Sequence, residues 1–521
     1  MTVARCVTAL LALVCLSGCM VGPNYQRPPP ADPPPLAFKE TTGPVIGAAA
    51  DFQPAQPRDA IDRGPWWTMY GDPVLDRVAA QIDISNQTLM QAEAAYRQAR
   101  ALVRQDASGL YPTVSGNAGF TQSGSASSSR STQGGIVSAG GGSISQFTMG
   151  PSLTWELDLW GRIRRQIESD SAAAQASAAD LANARLSAQA NLAINYFSMR
   201  IAEQQIKLFE ASVAAFTRSL QIVQNQVDAG TASRLDLVQA QTQLEQTRAQ
   251  LVGANINRAT FEHAVAILVG KAPAEFSLEP GPPPPEVPTL DAGVPSTLLE
   301  RRADIAAAER LMASANAQIG VTQAAFYPNI SLASSVTLVG GTFIALLQLS
   351  NAIWSVGPQL AATLIDGGAL KAQVEGARAK YDSQVATYRQ TILVAFQQVE
   401  DALVQQRVLI QQEQVQRAAV AAAREAERLS LNQYTQGTVA YTTVVTTQTA
   451  ALSAEQTLLS VRLSRLTASA NLVLALGGGW TDTDLPAPMP IGGLDQTPQP
   501  PVPTTQSLST TKRQWWQFWS R

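Results

Sequence analysis

Two long stretches of the chain contain no proline and almost no glycine, and they set the scale of any fold that this sequence can adopt. The first runs from Arg162 to Asp228 and the second from about Leu370 to Gln436. Each covers about 67 residues, so a continuous helix would be roughly 100 Å long at 1.5 Å per residue. A single globular core has no room for two such helices, whereas a coiled-coil assembly or the wall of a tunnel does.

Three short motifs recur in the same order in the two halves of the chain, which indicates an internal repeat. Two of the motif pairs are about 207 residues apart and the third differs by about nine, so the first copy carries an insertion. The insertion is the Gly- and Ser-rich stretch from Gln122 to Ser145, which predicts a flexible exposed loop. The pairs are Leu110–Ser115 with Phe326–Ser331, Gly150–Leu153 with Gly357–Leu360, and Asp228–Thr231 with Thr435–Thr438.

Each copy is predicted to run helix, strand, loop, strand, long helix, turn and half-length helix. Two half-length helices stacked end to end would match one long helix, and such pairs could close a helical cylinder. The predicted shorter helices are about Val74–Gly109 and Thr231–Gly270 in the first copy, and Ser296–Ala325 and Thr438–Leu476 in the second.

Alternating apolar and small polar residues mark two strands in each copy. In the hairpin region 112–159 these are Thr113–Phe120 and Ser152–Leu159. Such segments fit the tilted strands of a transmembrane β-barrel with a wet lumen, although one segment alone fits a soluble hairpin equally well. Four strands cannot close a barrel and lipid does not tolerate open edges, so several copies of the chain must share one barrel. In the second hairpin region, 328–365, the alternating apolar positions are Ile330, Leu332, Val336, Leu338, Val356, Leu360, Ala362 and Leu364.

The N-terminus predicts export and lipid attachment. Arg5 precedes the short apolar stretch Val7–Leu16, which is typical of a secretory signal and too short to span a membrane. Leu16–Cys19 fits the bacterial lipobox, so residues 1–18 would be removed and Cys19 would carry diacylglycerol and N-acyl chains. The alternative is an ordinary signal with a cysteine there by chance. The other two cysteines lie inside the signal, so the mature chain would hold no disulfide.

Composition argues against several other classes of protein. Charged residues make up 15% of the chain and the net charge is −3, with no basic patch that would predict binding to nucleic acid. The single histidine, His263, lies within a predicted helix without metal-ligand companions, and no nucleophile or phosphate-binding motif occurs. The sequence therefore predicts no catalysis, no metal and no cofactor other than the covalent lipid.

Two proline-rich segments, from Pro23 to Pro65 and from Pro486 to Pro503, are expected to wrap the helical cylinder or to stay loose. Near its end the tail contains Lys512–Trp519, whose basic and aromatic residues fit contact with a membrane interface or a partner, while disorder is an equally open alternative for so short a segment. The predicted division of the chain is signal peptide 1–18, extended segment 19–73, repeat 1 at 74–270, linker 271–295, repeat 2 at 296–478 and tail 479–521.

In their order and spacing, a series of motifs over nearly the whole mature chain resembles the outer-membrane factors of tripartite efflux systems, the TolC-like and OprM-like lipoproteins of NodT type. One departure is Ala303, where the family more often has proline. The matching motifs are Val21–Tyr25 after Cys19, Trp66-Trp67, Gly71–Pro73, Leu75, Asn86, Leu89, Ala92, Leu110–Pro112, Asp158–Arg162, Leu298–Ile305, Phe326–Pro328, Asp366–Gly368, and Tyr434 with Gly437.

The resemblance implies an α+β membrane protein, in which a homotrimer forms a long α-helical periplasmic cylinder and a β-barrel with four strands from each protomer. It implies a lipid-anchored location in the outer membrane of a Gram-negative bacterium. It also implies two protein partners, a periplasmic adaptor (membrane fusion protein) and an inner-membrane pump, and export of small molecules or drugs. The alternatives are a type I secretion duct of the same architecture and a non-conducting coiled-coil lipoprotein.

The resemblance also implies a narrowing of the tunnel at its periplasmic tip, near turns that here centre on Gly230 and Gly437. Three-fold symmetry would turn an inward Asp236 into a ring of carboxylates that attracts cations. Thr443 and Thr446 stand where the family often carries acids in the second copy, so a less acidic gate is expected. Packing alone is the alternative role for the tyrosines. The candidate gate residues are Arg234, Asp236, Tyr434 and Tyr441.

Overall fold

A computed structural model describes much of the chain between the N-terminal signal and the C-terminal tail. The predicted lipid-attachment residue Cys19, residues 288–300 and the aromatic end of the tail lie outside the described residues. The described residues are 20–30, 38–41, 65–124, 130–132, 135–137, 143–284, 286–287, 301–346, 348–478, 480 and 485–487.

Most of the described residues are helical. The α-helices are α1 (Pro73–Ala79), α2 (Ile82–Ser85), α3 (Gln87–Ala107), α4 (Arg162–Asp228), α5 (Arg234–Leu268), α6 (Ala303–Ala324), α7 (Phe343–Leu346), α8 (Ala369–Thr435) and α9 (Tyr441–Ala475). The strands are β1 (Thr113–Gly124), β2 (Arg130–Thr132), β3 (Gly135–Val137), β4 (Ser143–Leu157), β5 (Asn329–Gly340) and β6 (Ala352–Ala361). Short 3-10 helices are Lys39–Thr41, Trp66–Tyr70, Ser108–Leu110, Pro273–Glu275 and Leu349–Asn351.

The described residues fall into two compact units. The helical unit holds the residues before Val103 together with Asp158–Ile330 and Leu360–Ala487, and the strand unit holds Val103–Leu157 and Ser331–Gln359. No helix in the described part of the chain combines enough length and apolar character to cross a membrane.

The long helices have the predicted lengths and pack through small side chains. Helices α4 and α8 contain 67 residues each, and α5 and α9 contain 35 each. The first half of α4 buries mainly alanine and serine, so a neighbouring helix can approach closely. Ser169 Oγ lies 2.9 Å from Ser314 Oγ of α6, and Ala179 packs on Ala303 and Ala306 of the same helix. Helix α6 also packs on α8, where Ile305 and Met312 join a buried cluster with Tyr388.

The ends of the shorter helices meet in pairs, and side chains join them. Asn86 donates from Nδ2 to the carbonyl of Leu268, the last residue of α5 (2.7 Å), and its Oδ1 accepts from the backbone N–H of Leu89 in α3 (2.9 Å). At the second junction Arg302 donates from Nη1 to the carbonyl of Ala475, the last residue of α9 (3.0 Å), just before α6 begins. Helix ends leave carbonyl and N–H groups without intrahelical partners, so these side chains satisfy groups that the junctions would otherwise leave unpaired.

Each junction also depends on a glycine. Gly270 and Gly477 have φ angles of 69° and 82°, in the left-handed region. A Cβ atom would lie 2.0 Å from the Ser85 carbonyl oxygen at the first position, and 2.1 Å from the Arg301 carbonyl oxygen at the second. Neither the backbone conformation nor the space at these two positions allows a side chain.

The first predicted helix, Val74–Gly109, is interrupted rather than continuous. Helix α1 begins after Asp72, whose carboxylate accepts from the backbone N–H groups of Val74 and Leu75. Asn86 is extended, with a ψ angle of 119°, and separates α2 from α3. The interruption has a tertiary cause, because it places Asn86 against the end of α5, and helical periodicity in the sequence does not reveal such a contact.

The four predicted strands form one sheet with the order β1-β4-β5-β6. Strands β1 and β4 pair antiparallel from Thr113 opposite Thr154 to Gly124 opposite Ser143. The prediction of a loop throughout Gln122–Ser145 was wrong, because β1 and β4 continue into this stretch and β2 pairs with β3 inside it. Once the register is set, Gly and Ser can continue the ladder, since every backbone supplies a donor and an acceptor. Strand β6 ends at Ala361, whereas the predicted alternation of apolar and polar residues continues to Leu364.

The described parts of the proline-rich segments lie against the long helices. Arg165 of α4 is 1% exposed and donates to the carbonyls of Val21 and Gly22 (3.1 and 3.2 Å) and to Asn24 Oδ1 (2.8 Å). These contacts fix the N-terminal segment on α4.

The linker after α5 is held by a charged network. Arg200 donates to the carbonyl of Glu279 (2.8 Å) and Arg258 to that of Leu278 (2.6 Å), while Glu203 accepts from the backbone N–H of Gly281 (3.1 Å). The guanidinium and carboxylate groups thus form hydrogen bonds with backbone groups of the linker, which at these residues has no regular secondary structure to pair them.

The two junction glycines provide a stability test with internal controls. We expect Gly270→Ala and Gly477→Ala to destabilise the protein by about 3 kcal/mol or more each, because backbone strain adds to a clash with a carbonyl oxygen. Gly230→Ala and Gly437→Ala meet no atom within 4 Å of the new Cβ, so strain alone should cost about 1 kcal/mol. The helical position Gly253 is equally open, and its change to alanine should be neutral or stabilising.

The measurement is the midpoint of denaturant unfolding, followed by circular dichroism. Equal losses at the junction glycines and at the turn glycines would contradict this account of the junctions.

Candidate gate at the helical turns

The two turns that end the long helices have the same backbone structure. Gly230 and Gly437 have φ angles of 74° and 73°. In the first turn Gly230 N–H donates to the carbonyl of Val227 (2.9 Å), and Thr231 N–H to that of Gln226 (2.8 Å). The second turn repeats both bonds, at 2.9 and 3.0 Å, around Gly437. This is the Schellman pattern, in which a left-handed glycine lets the last carbonyls of a helix find donors.

The helices that follow the two turns begin differently. Ser233 and Asp236 form a capping box at the start of α5, with each side chain accepting from the backbone N–H of the other residue at 3.2 Å. Helix α9 follows Ala440, which supplies no side-chain cap, and Thr443 occupies the position equivalent to Asp236. Asp236 therefore stabilises the start of its own helix, a role that is separate from the predicted one in a gate.

Tyr434 and Tyr441 face each other across the second turn. Their ring centroids are 5.1 Å apart at an interplanar angle of 62°, and the two side chains are only 6% and 2% exposed. They form a cluster with Val223 of α4, Ala240 of α5 and Val444 of α9. The tyrosines therefore join the helical hairpin α4–α5 to the helical hairpin α8–α9 within one chain.

The tyrosine cluster keeps its phenols neutral. Burial raises the pKa of Tyr434, and the nearby carboxylate of Asp236 raises it further. Burial also raises the pKa of Tyr441 to about 12, with smaller contributions from Tyr434 and Asp236. The Oη atom of Tyr434 is buried and has no hydrogen-bond partner among the described residues.

The structure thus brings together three of the predicted gate residues, Asp236, Tyr434 and Tyr441. It leaves Arg234 exposed, with no ion pair to any residue that the structure describes. Asp228 is exposed and accepts a hydrogen bond from Gln224 Nε2 at 2.8 Å, which fits a solvated residue at a helix end.

Sequence reasoning missed a polar contact between the hairpins beside the tyrosine cluster. Gln448 of α9 is 2% exposed and donates to Ser219 Oγ of α4 at 3.1 Å. Its Oε1 atom is buried without a partner in the described chain. The sequence gives one signal of this contact, which is a glutamine on a helix face whose other residues are mostly apolar. In a chain rich in glutamine that signal is weak.

The described chain thus combines two long helices that end in glycine turns, shorter helices whose ends meet in pairs, and a four-stranded sheet. The profile of the outer membrane efflux protein family matches residues 78–271 and 294–478. The chain therefore belongs to the outer membrane efflux protein family, which confirms the membership that the motifs predict.

Individual relatives agree with this family. The chain is 31% identical over 475 residues to the probable efflux pump outer membrane protein TtgC of Pseudomonas putida, covering 89% of this chain and 93% of that protein. It is 27% identical over 468 residues to the cation efflux system protein CusC of Escherichia coli, covering 89% and 96%. Among solved structures it is similar to the outer-membrane channel OprN, with a TM-score of 0.76 at 28% identity, over 89% of this chain and 100% of that one. The open-state channel MtrE of Neisseria gonorrhoeae gives a TM-score of 0.75 at 27% identity, covering 89% and 99%.

The unpartnered hydroxyl in the tyrosine cluster makes a testable prediction. Tyr434→Phe should stabilise the protein by about 1 kcal/mol, because it removes a buried polar group that has no partner. As a control, Tyr70→Phe removes a hydroxyl that lies 2.8 Å from Ser469 Oγ in a buried contact, and it should destabilise by about 1 kcal/mol. Denaturant unfolding of the two variants measures both effects, and a clear loss of stability in Tyr434→Phe would show that its hydroxyl has a partner in the assembled protein.

Proposed function

We propose that the chain is the channel component of a tripartite efflux pump, and that three copies form a continuous duct from the periplasm through the outer membrane. A periplasmic adaptor and an inner-membrane pump deliver small molecules to it. The observation that carries the proposal is that, among the described residues of one chain, the sheet has two open edges and helix α3 buries no residue between Leu89 and Val103.

The sheet is incomplete as a single copy. Strands β1 and β6 are at its two ends, so each has one edge with no described neighbour. Every residue of β1 is exposed, and so are most residues of β6. Open sheet edges are a liability that closure into a barrel removes. Twelve strands from three copies would give a barrel wide enough for a channel.

Helix α3 supports the same conclusion. Between Leu89 and Val103 no residue of this helix is buried, although Met90, Tyr96 and Leu102 lie in this interval. In proteins most of the stability of a helix comes from tertiary packing of one of its faces. A second copy of the chain would supply the missing helical surface and close the cylinder. The equal lengths of α4 and α8, and of α5 and α9, support two structural repeats in each protomer.

We assign small molecules as the cargo because the names of the relatives describe efflux of antibiotics, toluene and cations. No residue in the proposed duct needs to perform chemistry, since the duct supplies a path and a gate. Lipid on Cys19 would anchor each protomer, because several acyl chains at one terminus make attachment firm.

Single-channel recording in a planar bilayer, combined with the mass of the detergent-solubilised protein, tests the proposal. We expect discrete openings from a particle with the mass of three chains. Asp236→Ala should raise the conductance and reduce the preference for cations, since it removes a ring of three carboxylates. A monomer that never conducts would overturn the proposed duct.

Two further variants separate the charge of Asp236 from its capping role. Asp236→Asn removes the charge but keeps an oxygen that can accept from Ser233 N–H, so cation preference should fall while the helix start stays intact. Ser233→Ala removes the cap and keeps the charge, so it should leave cation preference unchanged. If neither Asp236 variant alters conductance or ion preference, Asp236 does not belong to the gate.

Lipid attachment predicts a specific result for one cysteine. Cys19→Ser should yield a protein that incorporates no labelled palmitate and whose mature mass lacks the acyl chains. Cys15→Ser, which changes a residue inside the predicted signal, should leave labelling unchanged. Labelling that persists in Cys19→Ser would disprove the predicted attachment site.

A further inference from the structure

A buried glutamate on α8 is surrounded by three arginines. The side chain of Glu413 is 3% exposed, and Arg417 Nη2 lies 2.5 Å from its Oε1 atom. Arg462 Nε lies 3.4 Å from the same oxygen, and Arg465 Nη1 contacts Oε2. One carboxylate thus faces three guanidinium groups, which together carry far more donors than it can accept from.

The carboxylate in this cluster is ionised at neutral pH. Burial by itself would raise the pKa of Glu413, but hydrogen bonds from Arg465 and Arg417 outweigh it and lower the pKa below its ordinary value. Glu413 therefore balances one positive charge and leaves two that it does not balance.

The hairpin α4–α5 provides an internal comparison. Arg258 stands about 207 residues before Arg465, at the equivalent position of the repeat predicted from the sequence. There, Arg258 and Arg200 are matched by two carboxylates, Glu203 and Glu262, with Arg258 Nη1 3.0 Å from Glu262 and Arg200 Nη1 2.9 Å from Glu203. The charges balance in the first hairpin, so the excess of arginine in the second is not a requirement of this helix geometry.

A cavity of about 110 Å³ opens beside the three arginines, between the helices and the linker. Its lining includes Glu286, whose exposed carboxylate makes no ion pair with any described residue, and counting it still leaves one positive charge in excess. The side chains of Arg417 and Arg462 are 54% and 37% exposed, so their remaining N–H groups can reach a molecule that enters from solvent. The volume admits a small anion with some of its water.

We propose that this cavity is a binding site for a small oxyanion of the phosphate type, held by Arg462 and Arg417 at its open side and by Arg465 at its base. Guanidinium groups suit this ligand because their planar N–H pairs match the oxygens of phosphate and form short, charge-assisted bonds. A bound anion would relieve the repulsion between the arginines and hold α8, α9 and the linker together. The binding step involves no covalent chemistry.

Equilibrium dialysis of the purified full-length protein against radiolabelled orthophosphate, at constant ionic strength, tests the site. We expect one phosphate for each chain and saturable binding. The double change Arg417→Gln and Arg462→Gln should weaken it at least tenfold while leaving the Glu413–Arg465 pair in place. Arg428→Gln is the matched control, because Arg428 lies on the same helix, is 59% exposed and, in the described part of the chain, pairs with Glu425. It should bind phosphate like the unchanged protein.

Circular dichroism and the mass in detergent would verify that each variant is folded and assembled as the unchanged protein is. Phosphate binding that is absent, non-saturable or equal in the double variant and in Arg428→Gln would overturn the site. Because binding is measured directly, its failure is distinguishable from a failure of the channel to conduct.

Discussion

The structure depends on two helices of 67 residues and on the shorter helices that pack against them. Helices α5 and α6 pack on α4, helices α9 and α6 pack on α8, and the ends of α5 and α9 each meet the start of another short helix. Such a joint leaves the terminal carbonyl and N–H groups of two helices without intrahelical partners. Asn86 and Arg302 solve this problem at the two joints, each by donating to the last carbonyl of the preceding helix. The positive φ angles of Gly270 and Gly477 then turn the chain away and leave room for the next helix.

The covered surface itself is built from small side chains rather than from a large apolar core. Alanine and serine on α4 let α6 approach until Ser169 and Ser314 touch. Such contacts exclude little apolar area for each residue, so long packed helices gain stability by adding many small contributions. Buried charged networks then fix the irregular segments that cross these helices. Arg165 binds the N-terminal segment by donating to the carbonyls of Val21 and Gly22. Arg200 binds the linker by donating to the carbonyl of Glu279, and a guanidinium can do so while it also pairs with a carboxylate, because it carries five N–H donors.

The sequence predicts the lengths of α4 and α8, because the absence of proline and the spacing of glycines are direct signals of where long helices begin and end. It also predicts the family, through motifs whose order is specific. It does not predict that Asn86 interrupts the first helix, since its partner at Leu268 lies far along the chain. The extended hairpin in the insertion was missed for a similar reason, because its register is set by β1 and β4 rather than by its own low-complexity residues. At the turns, the sequence indicates which glycines end the long helices and which acid follows the first turn. The burial of Tyr434 and Tyr441 was not predictable, because it depends on contacts among four helices.

The two turns differ in the interactions that hold the helix that follows each of them. Helix α5 begins with a local capping box, so its first turn is stabilised by residues that are neighbours in sequence. Helix α9 has no side-chain cap, and its first residue, Tyr441, is buried against Tyr434 and the other hairpin. The start of α9 is therefore positioned by tertiary packing, and separation of the hairpins would remove all of these contacts together. The start of α5 would keep its cap, because the cap is formed by residues of the same helix start. A displacement of the second hairpin breaks the tyrosine cluster without breaking either backbone turn, because both turns are closed by bonds within their own long helix. The two hairpins are thus held to each other by a cluster of two neutral phenols, while each turn is closed within its own long helix.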